Sequence, residues 1–140
     1  MKNQFNSTFD NYVLVGESIT TTVDGLEVSA TIGIDFDTSI DDGDCHNIDQ
    51  AVTGCDDKQQ AKLLQAREDY YNDKWFYCGV VLSVRKNGIL IDDNAASLWG
   101  IECNYTDSDN SRLTAVANEL LPEALEVGKK SLAEMINKLK

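Results

Sequence analysis

The stretch that most restricts the fold is Trp75 to Cys103, WFYCGVVLSVRKNGILIDDNAASLWGIEC. From Trp75 to Val84 nearly every residue is apolar, with Phe76, Cys78, Val80, Leu82 and Val84 on one side and Trp75, Tyr77, Gly79 and Val81 on the other. A strand apolar on both sides suits cover on both sides, which predicts a central place in a sheet. Asn87-Gly88 then accepts the positive φ of a type I′ turn. The return arm begins Ile89-Leu90-Ile91, pauses at Asp92-Asp93-Asn94 and resumes at Ser97-Leu98-Trp99-Gly100-Ile101. A regular two-residue hairpin sets Phe76 near Trp99 and Tyr77 near Leu98; a bulge at the Asp-Asp-Asn is expected to disturb that register.

Residues 12–37 predict a second hairpin, turning at Asp24-Gly25. Counting outward pairs Val23 with Leu26, Thr21 with Val28, Ile19 with Ala30, Glu17 with Ile32, Val15 with Ile34 and Val13 with Phe36. That face is apolar apart from Thr21 and Glu17. The other face pairs Thr22 with Glu27, Thr20 with Ser29, Ser18 with Thr31 and Gly16 with Gly33. One face is for the core and one for water, as an antiparallel sheet allows.

Two helices complete the reading. The first is predicted from Asp56, capped by Asp56 and Gln59, through DKQQAKLLQAREDYYN. Its buried stripe is Ala61, Leu64 and Tyr71, with Leu63, Ala66 and Tyr70 beside it. The last segment is helical from about Ser111 to Lys138, with an apolar stripe that includes Leu113, Val116, Ala117, Leu120, Ala124 and Val127. Pro122 either kinks one helix or opens a second. Residues 1–11 read as a polar lead-in, and residues 38–55 as a long acidic loop. The order ββα occurs twice. It predicts a single α+β domain over residues 1–140, an antiparallel sheet of about four strands with helices packed on one face, the second hairpin central and the first on the flank.

The net charge is −12, and its distribution is uneven. Residues 1–57 hold 12 acidic groups against the single Lys2, whereas the rest of the chain comes to −1. Nucleic acid and anionic membranes are therefore poor direct partners, because binding phosphate needs a basic footprint. No apolar run is long enough for a membrane span, and the polar N-terminus predicts no secretory leader, so the expected place is the cytoplasm with reduced cysteines.

The acid-rich loop, with Cys45 and His46 inside it, raises metal chemistry first. Clustered carboxylates suit calcium or magnesium, but setting Gly43 at the EF-hand glycine puts Thr38 and Ile40 where acids are required. A zinc site from Cys45, His46 and Cys55, with Cys78 or Cys103 as fourth ligand, lacks any CxxC spacing. No metal or other cofactor is expected. His46, the only histidine, stands near two cysteines without any nucleophile, phosphate-loop or dinucleotide motif, so no catalytic residue is assigned and an enzyme is the last of the readings. The aromatic residues are mostly core, with Tyr70, Tyr71 or Trp75 left as interface anchors.

The central hairpin, with Trp75-Phe76-Tyr77, Asn87-Gly88 and Ser97-Leu98-Trp99-Gly100-Ile101-Glu102 followed by the segment Leu113 to Leu125, resembles small acidic proteins of unassigned function from phages and plasmids. The resemblance covers about residues 75–125 and brings no catalytic residue with it. It implies a small accessory protein that acts by binding. The expected function is to bind and inhibit a basic nucleic-acid-handling host protein, presenting carboxylates where the target expects DNA phosphates. The carboxylates assigned to that surface are Glu17, Glu27, Asp35, Asp37, Asp41, Asp42, Asp44 and Asp49. Two other readings stand beside it: a small ligand- or cation-binding domain using the loop 35–49, and a structural or regulatory homodimer joined through a sheet edge or the Pro122 helix.

Overall fold

The computed structural model describes residues 3–39 and 57–139. Six elements follow in order: β1 (Ser18–Val23), β2 (Leu26–Ile34), α1 (Asp57–Tyr71), β3 (Phe76–Lys86), β4 (Ile89–Cys103) and α2 (Ser111–Leu139). The strands form one antiparallel sheet in the order β1-β2-β3-β4. The fold is therefore α+β, two ββα units sharing a four-stranded sheet with helix packed against it. Neither hairpin is central. Each gives one inner strand, β2 or β3, and one edge, so β4 lies at the rim and not in the middle.

The first hairpin keeps its expected register from Val23↔Leu26 to Ser18↔Thr31, with Asp24 (φ 53°) and Gly25 (φ 78°) making the type I′ turn. Beyond Ser18 the expectation fails for a local reason. Gly16 adopts φ 95°. Its N–H goes to Ile32 O at 2.8 Å, while Ile32 N–H goes to Glu17 O at 2.9 Å. Two residues thus oppose one, and this glycine bulge turns the chain off the sheet. The pairings of Val15 with Ile34 and Val13 with Phe36 do not form: Val13 is buried elsewhere, and Phe36 is 85% exposed.

The second hairpin starts in register at Lys86↔Ile89, then shifts three times. Phe76 ends opposite Cys103 and Tyr77 opposite Glu102, four residues beyond the unbulged count that had set them near Trp99 and Leu98. One disturbance spans Asp92-Asp93-Asn94, as anticipated; another falls at Trp99-Gly100, which together stand opposite the single Gly79.

The core lies between one sheet face and α2. Val28, Ala30, Ile32, Cys78, Val80, Leu82 and Val84 meet Leu113, Val116, Ala117, Leu121, Ala124 and Leu125. The helix is continuous across Pro122, which is exposed. At Gly128 it comes so near the sheet that an added methyl group would lie 2.8 Å from Val84 Cγ1. Cys78 and Cys103 are fully buried free thiols in this core. A hydrogen bond to Cys103, and burial after it, push the Cys78 thiol well above its ordinary value.

The lead-in is part of this core. Phe5, Phe9 and Val13, spaced four residues apart, are buried against α2. Phe5 N–H donates to Asn118 Oδ1 at 2.8 Å and Phe9 N–H to Thr114 Oγ1 at 2.9 Å. Asn104 then takes the place of a strand: Val13 N–H donates to its Oδ1 at 2.8 Å, and its Nδ2 donates to Val13 O at 2.8 Å. Asn110 braces that amide, donating from Nδ2 to Asn104 Oδ1 at 2.8 Å and to Asp10 O at 3.2 Å.

Candidate binding groove

Helix α1 is held at the far end of β3 by aromatic rings. Trp75 is buried, and its Nε1–H donates to Ala66 O at 2.7 Å. Tyr77 and Tyr105 meet it edge-on at centroid distances of 5.2 and 4.8 Å. The stripe facing this cluster is Leu63, Ala66 and Tyr70, while Leu64 and Tyr71 are about half exposed. Trp75 is consequently core and not an interface anchor. Asp69 ties the helix to the loop after β4, accepting from Gln65 Nε2 at 2.8 Å and from Thr106 Oγ1 at 2.7 Å. Those bonds, with Lys74 3.7 Å away, hold its carboxyl below the ordinary value against the opposing effect of burial.

On the sheet face opposite α2, Trp99 covers Gly79 and Gly33. A methyl group at residue 79 would sit within the indole ring, and one at residue 33 would lie 3.2 Å from Cη2. Glycine backbone thus makes the floor on which the ring rests, and Trp99 is still 45% exposed. The chain leaving β2 forms the neighbouring wall. Asp35 N–H extends the ladder to Tyr77 O at 3.0 Å. Its carboxylate accepts from Asp37 N–H, Thr38 Oγ1 and Gly100 N–H at 2.9, 2.8 and 2.8 Å. The Gly100 amide, at φ 74°, is the donor that the β4 bulge takes out of the ladder. Burial raises the Asp35 carboxyl, but the bonds from Thr38, Asp37 and Gly100 outweigh it and leave the group below its ordinary value.

Between this wall and the indole is a groove of about 760 Å³, lined by Ile34 to Thr38, Trp99 and Gly100. A second hollow of about 360 Å³ lies on the other side of the same wall, against Tyr70, Tyr71 and Asp73. Phe36 is common to the linings of both.

Of the eight carboxylates expected to form one surface, Glu17, Glu27, Asp35 and Asp37 lie within the described residues, spread along β2 and its flanks. Glu27 is exposed on β2 with Thr22 opposite on one side and Arg85 on the other. Glu17 is exposed at the bulge, and Asp35 is committed to its three donors. Glu27 and Asp35 stand at opposite ends of β2, roughly 26 Å apart at 3.3 Å per residue. Asp37 is exposed at the groove. Asp41, Asp42, Asp44 and Asp49 lie outside the described residues, as do the cap at Asp56 and the cluster of Cys45, His46 and Cys55. Among the described residues no three His, Cys, Asp or Glu side chains come together as metal ligands, and no helix is long and apolar enough to cross a membrane.

Trp99, Phe36 and Gly79 were not marked out by sequence reasoning. The one available signal was a tryptophan followed by glycine in a strand facing a glycine-containing strand, which places a large ring where its partner has no side chain. A comparison with protein families, curated proteins and solved structures finds no match to this chain.

Proposed function

We propose that this is a non-catalytic binding protein that receives a basic segment of a protein partner in the groove between Ile34–Thr38 and Trp99. The observation that carries this reading is the indole seated on glycine backbone yet 45% exposed, with Phe36 at 85% and Asp37 exposed nearby. A guanidinium or ammonium group stacks on such a ring, and the attraction grows as water is excluded. Tryptophan in a groove is also a typical centre of binding energy. The net charge of −12 steers a basic partner toward the surface and repels nucleic acid. The partner class that fits is a basic nucleic-acid-handling protein of the host, and the effect is inhibition, because its Lys/Arg surface is then closed to phosphate.

The test is capture of host proteins on the immobilised chain at low and high salt, with Trp99→Ala and Asp37→Asn beside the wild type. A basic nucleic-acid-binding protein should be retained at low salt, released by salt or by competing DNA, and held at least tenfold more weakly by Trp99→Ala, on the order of 2 kcal/mol at a central aromatic anchor. Retention indifferent to salt, DNA and Trp99 would defeat the reading.

A further inference from the structure

The two edges of the sheet differ. β4 carries Asp92 and Asp93, and its ladder is interrupted by three register shifts. Charges and bulges of that kind spoil an edge as a template for another strand. β1 reads SITTTV, with no charge, no proline and an unbroken register from Ser18↔Thr31 to Val23↔Leu26.

The turn decides which main-chain groups of β1 are already used. Val23 and Leu26 close a two-residue type I′ hairpin as a hydrogen-bonded pair, so Val23, Thr21 and Ile19 bond inward to β2. The inward bonds between Glu17 O and Ile32 N–H continue the same alternation. The N–H and C=O groups of Ser18, Thr20 and Thr22 therefore point away from the sheet, and all three residues are exposed.

We propose that β1 is a self-association edge, on which a second copy of the chain pairs antiparallel about a two-fold axis at Thr20. The outward set is symmetric about that residue: Ser18 falls opposite Thr22 of the other copy, and Thr20 opposite its own counterpart. Such self-complementarity is what an isologous contact requires. The side chains that meet are Ser–Thr and Thr–Thr pairs, which are favourable across antiparallel strands. Glu17 falls opposite Val23, and Asp24 opposite Gly16, so no carboxylate directly faces another across the seam. Pairing makes one sheet continuous through both copies and leaves each Trp99 groove, three strands away, open. Each copy carries −12, so association works against mutual repulsion and tightens as salt screens it. That salt dependence is opposite in sign to capture of a basic partner.

Sedimentation of the full chain over a concentration series, at low and high salt, tests this. The expected result is a monomer–dimer equilibrium that shifts toward dimer as salt rises. Thr20→Pro removes an N–H that faces solvent in the monomer, so the melting temperature at low protein concentration should stay near the wild-type value. The same change takes one hydrogen bond from each copy at the seam and should weaken the dimer about tenfold. Thr20→Lys, which sets two ammonium groups together on the axis, should weaken it as well. A chain that stays monomeric throughout the series at high salt, or a dimer unaffected by both substitutions, overturns the proposal.

Discussion

At the scale of single residues, two positions are held by what their neighbours lack or supply. Gly79 has no side chain because Trp99 occupies that space. Gly79→Ala should lift the indole off the sheet, and the measurement is tryptophan fluorescence. Trp75 is buried, so a red shift with greater quenching by acrylamide would report Trp99. An unchanged spectrum would show that the ring finds another seat. Asp69 is held by donors. Because its carboxyl lies below the ordinary 3.8 in the folded chain, the stabilisation it gives is complete above that value and is lost as pH falls through the folded value. Asp69→Asn should thus lower the melting temperature at neutral pH, and the two melting curves should converge in strong acid. Parallel curves down to the acid limit would assign the stability to other groups.

At the scale of elements, the long strands and α2 were legible because their patterns are repetitive. Val23↔Leu26 through Ser18↔Thr31 follows from counting back from Asp24-Gly25. What the pattern hid was irregular. Gly16 in a left-handed conformation ends a ladder that alternation alone would carry to Val13. Three shifts in β4 add up to four residues, and none is encoded by hydrophobic period. Phe5 and Phe9, spaced like a helix stripe, sit in a chain segment that is not helical, held by side chains instead of a main-chain ladder. Helix α1 has a weak apolar face: the stripe expected on Ala61, Leu64 and Tyr71 lies instead on the neighbouring Leu63, Ala66 and Tyr70. The groove was illegible for the same reason: it arises where a bulge in β4 meets the turn after β2. The Asn104 clamp gives a prediction at this scale. Asn104→Ala leaves Val13 N–H and C=O without that partner and should cost about 1–3 kcal/mol, read from denaturant unfolding. A loss below the error of the method would mean the segment is held by its other contacts, at Phe5, Phe9 and Asp10.

For the whole molecule, the electrostatic arrangement separates two kinds of encounter. The negative charge that would draw the proposed basic partner to the Trp99 groove would oppose the proposed second copy at β1, so ionic strength should divide the two forms. The strap of residues 3–13 has a different consequence, which concerns synthesis. Its partners Asn104, Asn110, Thr114 and Asn118 lie 91 to 113 positions further along the chain. Phe5 and Phe9 are synthesised before the helix they pack on, and they have no site to enter until α2 has followed. Such long-range closure delays folding and leaves apolar surface bare in the meantime. A nascent chain stalled before Ser111 therefore displays two phenylalanines without the helix that buries them, exposed apolar surface that the finished protein does not present.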